Sequence, residues 1–206
     1  MIKKKDNSTF EQKVDDRLRV LGRLNSEPVV CETHGGFGRL FTRVYHDVSR
    51  GIVFDKDAAK ADALSVQRPT WRVYHGDAQV GLAAGVGRDL SANIIDIDPY
   101  GSPWEYLDAY LASRRVDREL WIVANDGLRQ SLMLGIGWHV GVLAPVVQRR
   151  GNNLFSVYLD VCEEMLADRA KKASAKLARF SGYYCGHGKR MTHWIAMLRP
   201  LASGTP

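Results

Sequence analysis

Cysteine is scarce here. The three in 206 residues, Cys31, Cys162 and Cys185, lie far apart, are odd in number and show neither a CxxC pair nor histidines at ligand spacing. Neither a disulfide framework nor a zinc site is expected, and a reducing compartment suits the chain. Apolar runs are short as well: none approaches the length needed to span a bilayer, and the start, Met1 to Phe10, has no apolar stretch after its three lysines. The expectation is a soluble, cytoplasmic protein with no membrane partner. Internal repeats and low-complexity tracts are absent, and 45% hydrophobic against 25% charged residues is enough to bury a core in one domain. Negative charge is thin at one end: from Arg149 to Arg199 there are ten Lys or Arg against four Asp or Glu, which accounts for the whole net charge of +6. A solvated face explains such an excess in general; an anionic partner also fits it.

From Pro28 onward the pattern is regular. Val29-Val30-Cys31 ends in Glu32-Thr33-His34-Gly35-Gly36-Phe37-Gly38, after which Leu40, Phe41, Val44 and Tyr45 have helical spacing. Gly51-Ile52-Val53-Phe54 ends at Asp55, and Asp57 opens a helix through Ala58, Ala61 and Leu64. Trp71 to His75 ends in Gly76-Asp77-Ala78 ahead of a weakly marked helix over Val80 to Val86. Asn93 to Ile97 ends at Asp98, and Leu120 to Ala124 ends in Asn125-Asp126-Gly127. Strand, loop and helix in alternation predict an α/β domain, a parallel sheet with helices on both faces. Overlapping capping boxes at Ser8 and Thr9 open an amphipathic helix with Phe10, Val14, Leu18, Leu21 and Leu24 at helical spacing. The domain reading is therefore a helical extension over 1–27 and a single domain over 28–206. Beyond Gly127, Gly135 to Pro145 carries no assignable element, and Asn153 is expected to cap a long helix running towards Ala178. The turn-like His187-Gly188-Lys189-Arg190 predicts a hairpin with an antiparallel last strand.

The stretch Asn93 to Pro103, NIIDIDPYGSP, organises the rest. A buried strand delivers Asp98 and Tyr100 to its carboxyl end, where open α/β sheets place their sites, and Ser102 with Glu105 forms a capping box for the next helix. The plain alternative is an ordinary turn whose aspartate caps a backbone amide. Glu32, Asp55, Asp77 and Asp98 each close a successive strand, so all four are expected along one rim around the glycine loop. That rim fits a nucleoside. Asp55 is spaced for ribose hydroxyls, but Phe41 stands where a third fingerprint glycine belongs, and an acid at 32 repels a pyrophosphate. S-adenosylmethionine, cationic and without phosphate, suits the loop better than NAD. An exocyclic base amine is a poor nucleophile because its lone pair is delocalised into the ring. A carboxylate at 98 and the Pro99 carbonyl, accepting its two N–H bonds, localise that pair towards a sulfonium methyl, while Tyr100 stacks on the extruded base. Asp96 shares the face of Asp98 one pleat deeper.

These motifs, in this order, resemble those of class I S-adenosylmethionine-dependent methyltransferases over about residues 28 to 127. Asp96 to Pro103 is similar to the D-x-D-P-[FY]-G-[ST]-P turn of tRNA (guanine-N2)-dimethyltransferases, and Leu107-Asp108-Ala109 continues the likeness. The resemblance implies a Rossmann-like seven-stranded sheet, mostly parallel with an antiparallel carboxyl-terminal strand, and S-adenosylmethionine as cofactor. It places Glu32 at the methionine ammonium, His34, Gly35, Gly36 and Gly38 in the loop, Asp55 at the ribose, and Asp77 with Ala78 at the adenine edge. Asp98, Pro99 and Tyr100 become the catalytic candidates, with no metal. The function expected is amino methylation of a nucleic-acid base, RNA (tRNA guanine included) before DNA, with Lys171, Lys172, Lys176, Lys189 and Arg190 as backbone contacts. A small-molecule or protein methyltransferase, a non-catalytic RNA-binding protein keeping the fold, and an NAD enzyme are the alternatives.

Overall fold

The β-branched runs become strands β1 (Val29–Glu32), β2 (Arg50–Asp55), β3 (Arg72–His75), β4 (Ile94–Ile97) and β5 (Leu120–Asp126), all mutually parallel. A hairpin of β6 (Ala175–Cys185) and β7 (Met191–Pro200) completes a seven-stranded sheet of order β3-β2-β1-β4-β5-β7-β6, in which β7 runs against both neighbours. This is the topology expected, in a computed structural model that describes residues 9–134, 140–151 and 154–201. Seven helices are described: α1 (Phe10–Leu21), α2 (Ala58–Gln67), α3 (Ala78–Ala83), α4 (Trp104–Ala112), α5 (Leu128–Leu134), α6 (Val140–Arg150) and α7 (Tyr158–Lys172).

Side chains alternate across a strand, and here both faces are covered. On one face Cys31, Ile52, Phe54, Ile95, Ile97, Ile122 and Ala124 meet Leu82 of α3, Trp104 and Leu107 of α4, and Val161 and Leu166 of α7. On the other, Val30, Val53, Ile94, Trp121, Val123 and Ile195 meet Val14 and Val20 of α1, Leu64 of α2, and Phe41, Val44 and Tyr45 of a single π-helical turn after the glycine loop. So α1, expected ahead of the main fold, lies on its second face. Its stripe is rotated from the expected one: Leu18 is 46% exposed, while Arg17 is buried.

The carboxyl-terminal helix is shorter than expected. α7 stops at Lys172, Ser174 takes φ 55 in the turn, and Lys176 and Arg179 belong to β6. Ala175 to Arg179 has fair helix propensity, but pairing with β7, from Ala175 opposite Pro200 through a bulge between Leu177 and Arg179, overrides it. The expected cap Asn153 and residues 135–139 lie outside the described residues, whereas residues 140–145 of the unassigned region open α6, with Pro145 inside it.

A candidate active-site cleft at the carboxyl ends of the strands

Two acids on neighbouring strands are turned inward. Glu32 and Asp96 are register partners on β1 and β4, both fully buried on the α1 face, and each is matched by one arginine. Arg17 of α1 holds Asp96 through Nε at 2.6 Å and Nη2 at 2.5 Å, and the Tyr45 hydroxyl donates to the same carboxylate at 2.8 Å. Arg68 donates from Nη1 to Glu32 and stacks against Phe41 and Trp71, 4.3 and 5.0 Å from their ring centres. Burial, together with the neighbouring Asp96, pushes the Glu32 carboxyl up against the pull of Arg68. Glu32 is thus a core ion-pair partner and not a rim residue, because the pleat that sends Cys31 to one face sends Glu32 to the other.

Above this layer a cleft of about 1080 Å³ opens along the carboxyl ends of β1, β2, β4 and β5. Gly35 lies where a Cβ would stand 2.5 Å from both Leu64 and Val53, so only glycine lets the loop settle on α2 and β2. Gly36, at φ 55, donates its N–H to Asp55 Oδ2 at 2.9 Å, and Asp55 Oδ1 accepts from the Asp57 amide at 3.0 Å. Asp55 therefore ties the glycine loop to the start of α2 while lining the cleft. Beside it His34 packs edge-on against Tyr106 at 4.7 Å, and burial holds its imidazole below the ordinary histidine range.

The DPYG turn forms the opposite wall. Ser102 Oγ accepts from the Trp104 amide and donates to the Glu105 carboxylate, and α4 begins one residue later than expected, with Pro103 and not Ser102 as its N-cap. Asp98 receives Lys13 Nζ on both oxygens, at 2.8 and 2.9 Å, and Asn125 Nδ2 on Oδ1; Lys13 lies one turn before Arg17 on α1. Burial pushes the Asp98 carboxyl up, but the charges of Lys13 and Arg17 and the hydrogen bonds from Lys13 and Asn125 more than offset it, leaving it below the ordinary carboxylate value. Among the described residues none of its donors is a backbone amide, which goes against the turn-cap reading of Asp98. Tyr100, 95% exposed, and buried Pro99 complete this wall.

No family model and no curated protein matches the sequence. Solved structures do. Trm1 from Pyrococcus horikoshii, determined with S-adenosyl-L-methionine, aligns over 95% of this chain at 16% identity and TM-score 0.64, and this chain spans 56% of it. TYW2 from M. jannaschii, in complex with AdoMet, aligns over 93% at 14% identity and TM-score 0.56, with 77% of that chain covered. The plantazolicin methyltransferase BamL, in complex with a triazolic desmethylPZN analogue and SAH, aligns over 97% at 9% identity and TM-score 0.56, with 87% covered. The fold is that of the S-adenosylmethionine-dependent methyltransferases.

Within this methyltransferase fold the cleft brings together His34, Gly35, Gly36, Asp55, Asp98, Pro99 and Tyr100. Four expected residues stay out of its lining. Glu32 pairs with Arg68, and Gly38, at φ 74, backs onto the Gln67 side chain. Asp77 caps α3 through the Gln79 and Val80 amides and pairs with Lys56 at 2.6 Å, a bond that holds its carboxyl down; Ala78 is buried beneath it. Sequence reasoning missed the walls from α1, α5 and the hairpin turn, among them Phe10, Lys13, Gln130, Ser131 and His187. The signal for the first was a Lys13/Arg17 pair at i, i+4 on the buried side of an amphipathic helix.

The basic carboxyl-terminal residues divide between two edges. Because β6 runs with β1–β5, its start and the end of α7 carry Lys171, Lys172 and Lys176 to the sheet edge opposite the cleft, while its far end brings Lys189 and Arg190 to the cleft side, next to Gly186, His187 and Met191. Several other cations there are paired with acids: Arg149 with Glu164 and Asp168, Arg150 with Glu164, Arg169 with Asp108, Arg199 with Glu119. No helix among the described residues is long and apolar enough to cross a membrane, and among them no group of His, Cys, Asp or Glu is arranged to hold a metal ion.

Proposed function

We propose that the protein is an S-adenosylmethionine-dependent methyltransferase acting on an exocyclic amine of a nucleic-acid base, RNA before DNA, with tRNA guanine among the candidates. One observation carries the reading: Asp98, held ionised, lines the same cleft as the glycine loop and as Tyr100, Gln130 and His187. The residues present suit the cofactor. Gly35 and Gly36 leave room for it to approach the backbone, and Asp55, with one donor already on each oxygen, keeps a free lone pair on each for ribose hydroxyls. Neutral His34 adds no charge against a cationic ligand. When bound, the cofactor supplies a transferable methyl on a sulfonium.

The chain's own part is positioning. Asp98 and the Pro99 carbonyl accept the amine N–H groups, turning the nitrogen lone pair towards the methyl, and the proton leaves to Asp98 or to solvent once the N–C bond has formed. Tyr100 offers a ring for the base, and Lys189 and Arg190 offer phosphate contacts on the cleft side. A second reading, a small-molecule or protein acceptor, draws on the acid-paired arginines and on Lys171, Lys172 and Lys176 facing away from the cleft. Calorimetry with S-adenosylmethionine and its demethylated product, followed by tritiated methyl transfer onto bulk tRNA, rRNA, DNA and a metabolite pool at low and high salt, tests both. Label in RNA with a steep salt dependence supports the first reading, and label confined to small molecules favours the second. Absence of cofactor binding overturns both.

A further inference from the structure

We infer that the acceptor half of the cleft is built for an electrically neutral amine, and that Lys13 on α1, clamped to both oxygens of Asp98, is the residue that turns away a cationic one. The inference rests on the proposed amine methylation and narrows its acceptor class. The lone pairs of the carboxylate are nearly all taken. Asp98 Oδ1 accepts from Lys13 and from Asn125, which fills it, whereas Oδ2 accepts from Lys13 alone, at 2.9 Å, and keeps one position. A neutral amine needs one such position on the carboxylate. The pair is neither deeply sealed nor loose, each side chain being about one fifth exposed, 21% for Lys13 and 20% for Asp98, and both line the cleft.

The acids nearest that position are each matched by a cation. Asp98 is cancelled by Lys13, and Asp96 below it by Arg17. The two imidazoles facing the group are neutral, His193 of β7 held down to about 3 by burial and His34 of the glycine loop also lowered by burial. An alkylammonium entering here meets no surplus negative charge and stands next to the Lys13 ammonium, at a separation where like charges repel appreciably even with partial screening. A ring-conjugated amine is neutral at physiological pH and suffers neither penalty. Phe10, one turn before Lys13, lines the same cleft and adds apolar surface for a planar ring.

Two isomers separate the cases, 4-methylaniline, neutral at neutral pH, and benzylamine, cationic. In ligand-observed NMR with the intact protein, wild type should bind 4-methylaniline at least about tenfold more tightly. Lys13→Gln, which leaves Asp98 uncompensated, should reverse the order, and Lys13→Arg, which restores the charge, should keep the wild-type order. A wild-type preference for benzylamine, or an order unchanged in Lys13→Gln, overturns the inference. The readout needs neither cofactor nor turnover, so loss of cofactor binding would sink the methyltransferase reading and leave the amine preference to be judged by itself.

Discussion

Replacing Asp98 with asparagine changes one atom, and the donors around that atom set the consequence. The carboxylate is held by three hydrogen bonds, two from the Lys13 ammonium and one from the Asn125 amide, and each of those groups faces it as a donor. An asparagine has one acceptor oxygen and one NH₂ group. Turned one way, its NH₂ takes the Oδ1 place and the bonds there from Lys13 and Asn125 are lost; turned the other, it takes the Oδ2 place and the second Lys13 bond is lost; either way the ion pair loses its charge. The partly exposed pair limits the folding cost to about 1 kcal/mol. Under the proposed reaction turnover suffers more, because the amine N–H group needs the open Oδ2 position of the ionised carboxylate, which an asparagine whose oxygen is taken by Lys13 and Asn125 does not offer. Loss of one such preorganised contact costs on the order of a hundredfold, about 2.7 kcal/mol at 1.36 kcal/mol per decade. Cofactor affinity should hold within about twofold, since Asp55 and the glycine loop are separate from the turn. Single-turnover methylation at saturating cofactor, with calorimetry of cofactor binding, makes the comparison. An Asp98→Asn protein of near wild-type rate, or one that loses cofactor and rate together, would refute the argument.

Asp55→Ala removes the acceptor proposed for the ribose along with the tether from Gly36, and calorimetry should register about 1 to 3 kcal/mol weaker binding of S-adenosylmethionine; unchanged affinity would take Asp55 out of the proposed site. Arg17→Met leaves Asp96 buried with Tyr45 as its remaining side-chain donor and should lower unfolding free energy in urea by about 3 to 5 kcal/mol. The double variant Arg17→Met with Asp96→Leu should recover most of this, and a single-variant loss below about 1 kcal/mol would show the pair to be dispensable. His193, neutral and buried in the fold, takes up a proton near its ordinary 6.5 only when unfolded, so stability should fall as pH drops from about 6.5 towards about 3. Urea midpoints between pH 6.5 and 5 should decline in wild type and flatten in His193→Gln, and equal slopes would refute the assignment.

The order of strands and helices was legible because local rules and burial agree: four apolar runs ending in acids, glycine at Gly35 and Gly36, Asp57 and Asp77 at helix starts, and the Ser102-Glu105 box each do locally what the sheet needs. Asp98 was legible for the same reason, as the residue beyond a buried strand. Tertiary structure alone decided which acids line the cleft. Glu32 and Asp55 both close strands, yet pleat parity turned Glu32 onto Arg68, thirty-six residues away, and a helix cap with a lysine claimed Asp77. Ala175 to Arg179 left the helix to pair with β7, since a ladder outweighs a propensity difference of about tenths of a kcal/mol. Lys13 shows the limit most clearly. Nothing in the residues around it specifies Asp98 as its partner eighty-five positions later; only the docking of α1 across the sheet, fixed by Val14, Arg17 and Val20 beneath it, brings the ammonium to the carboxylate.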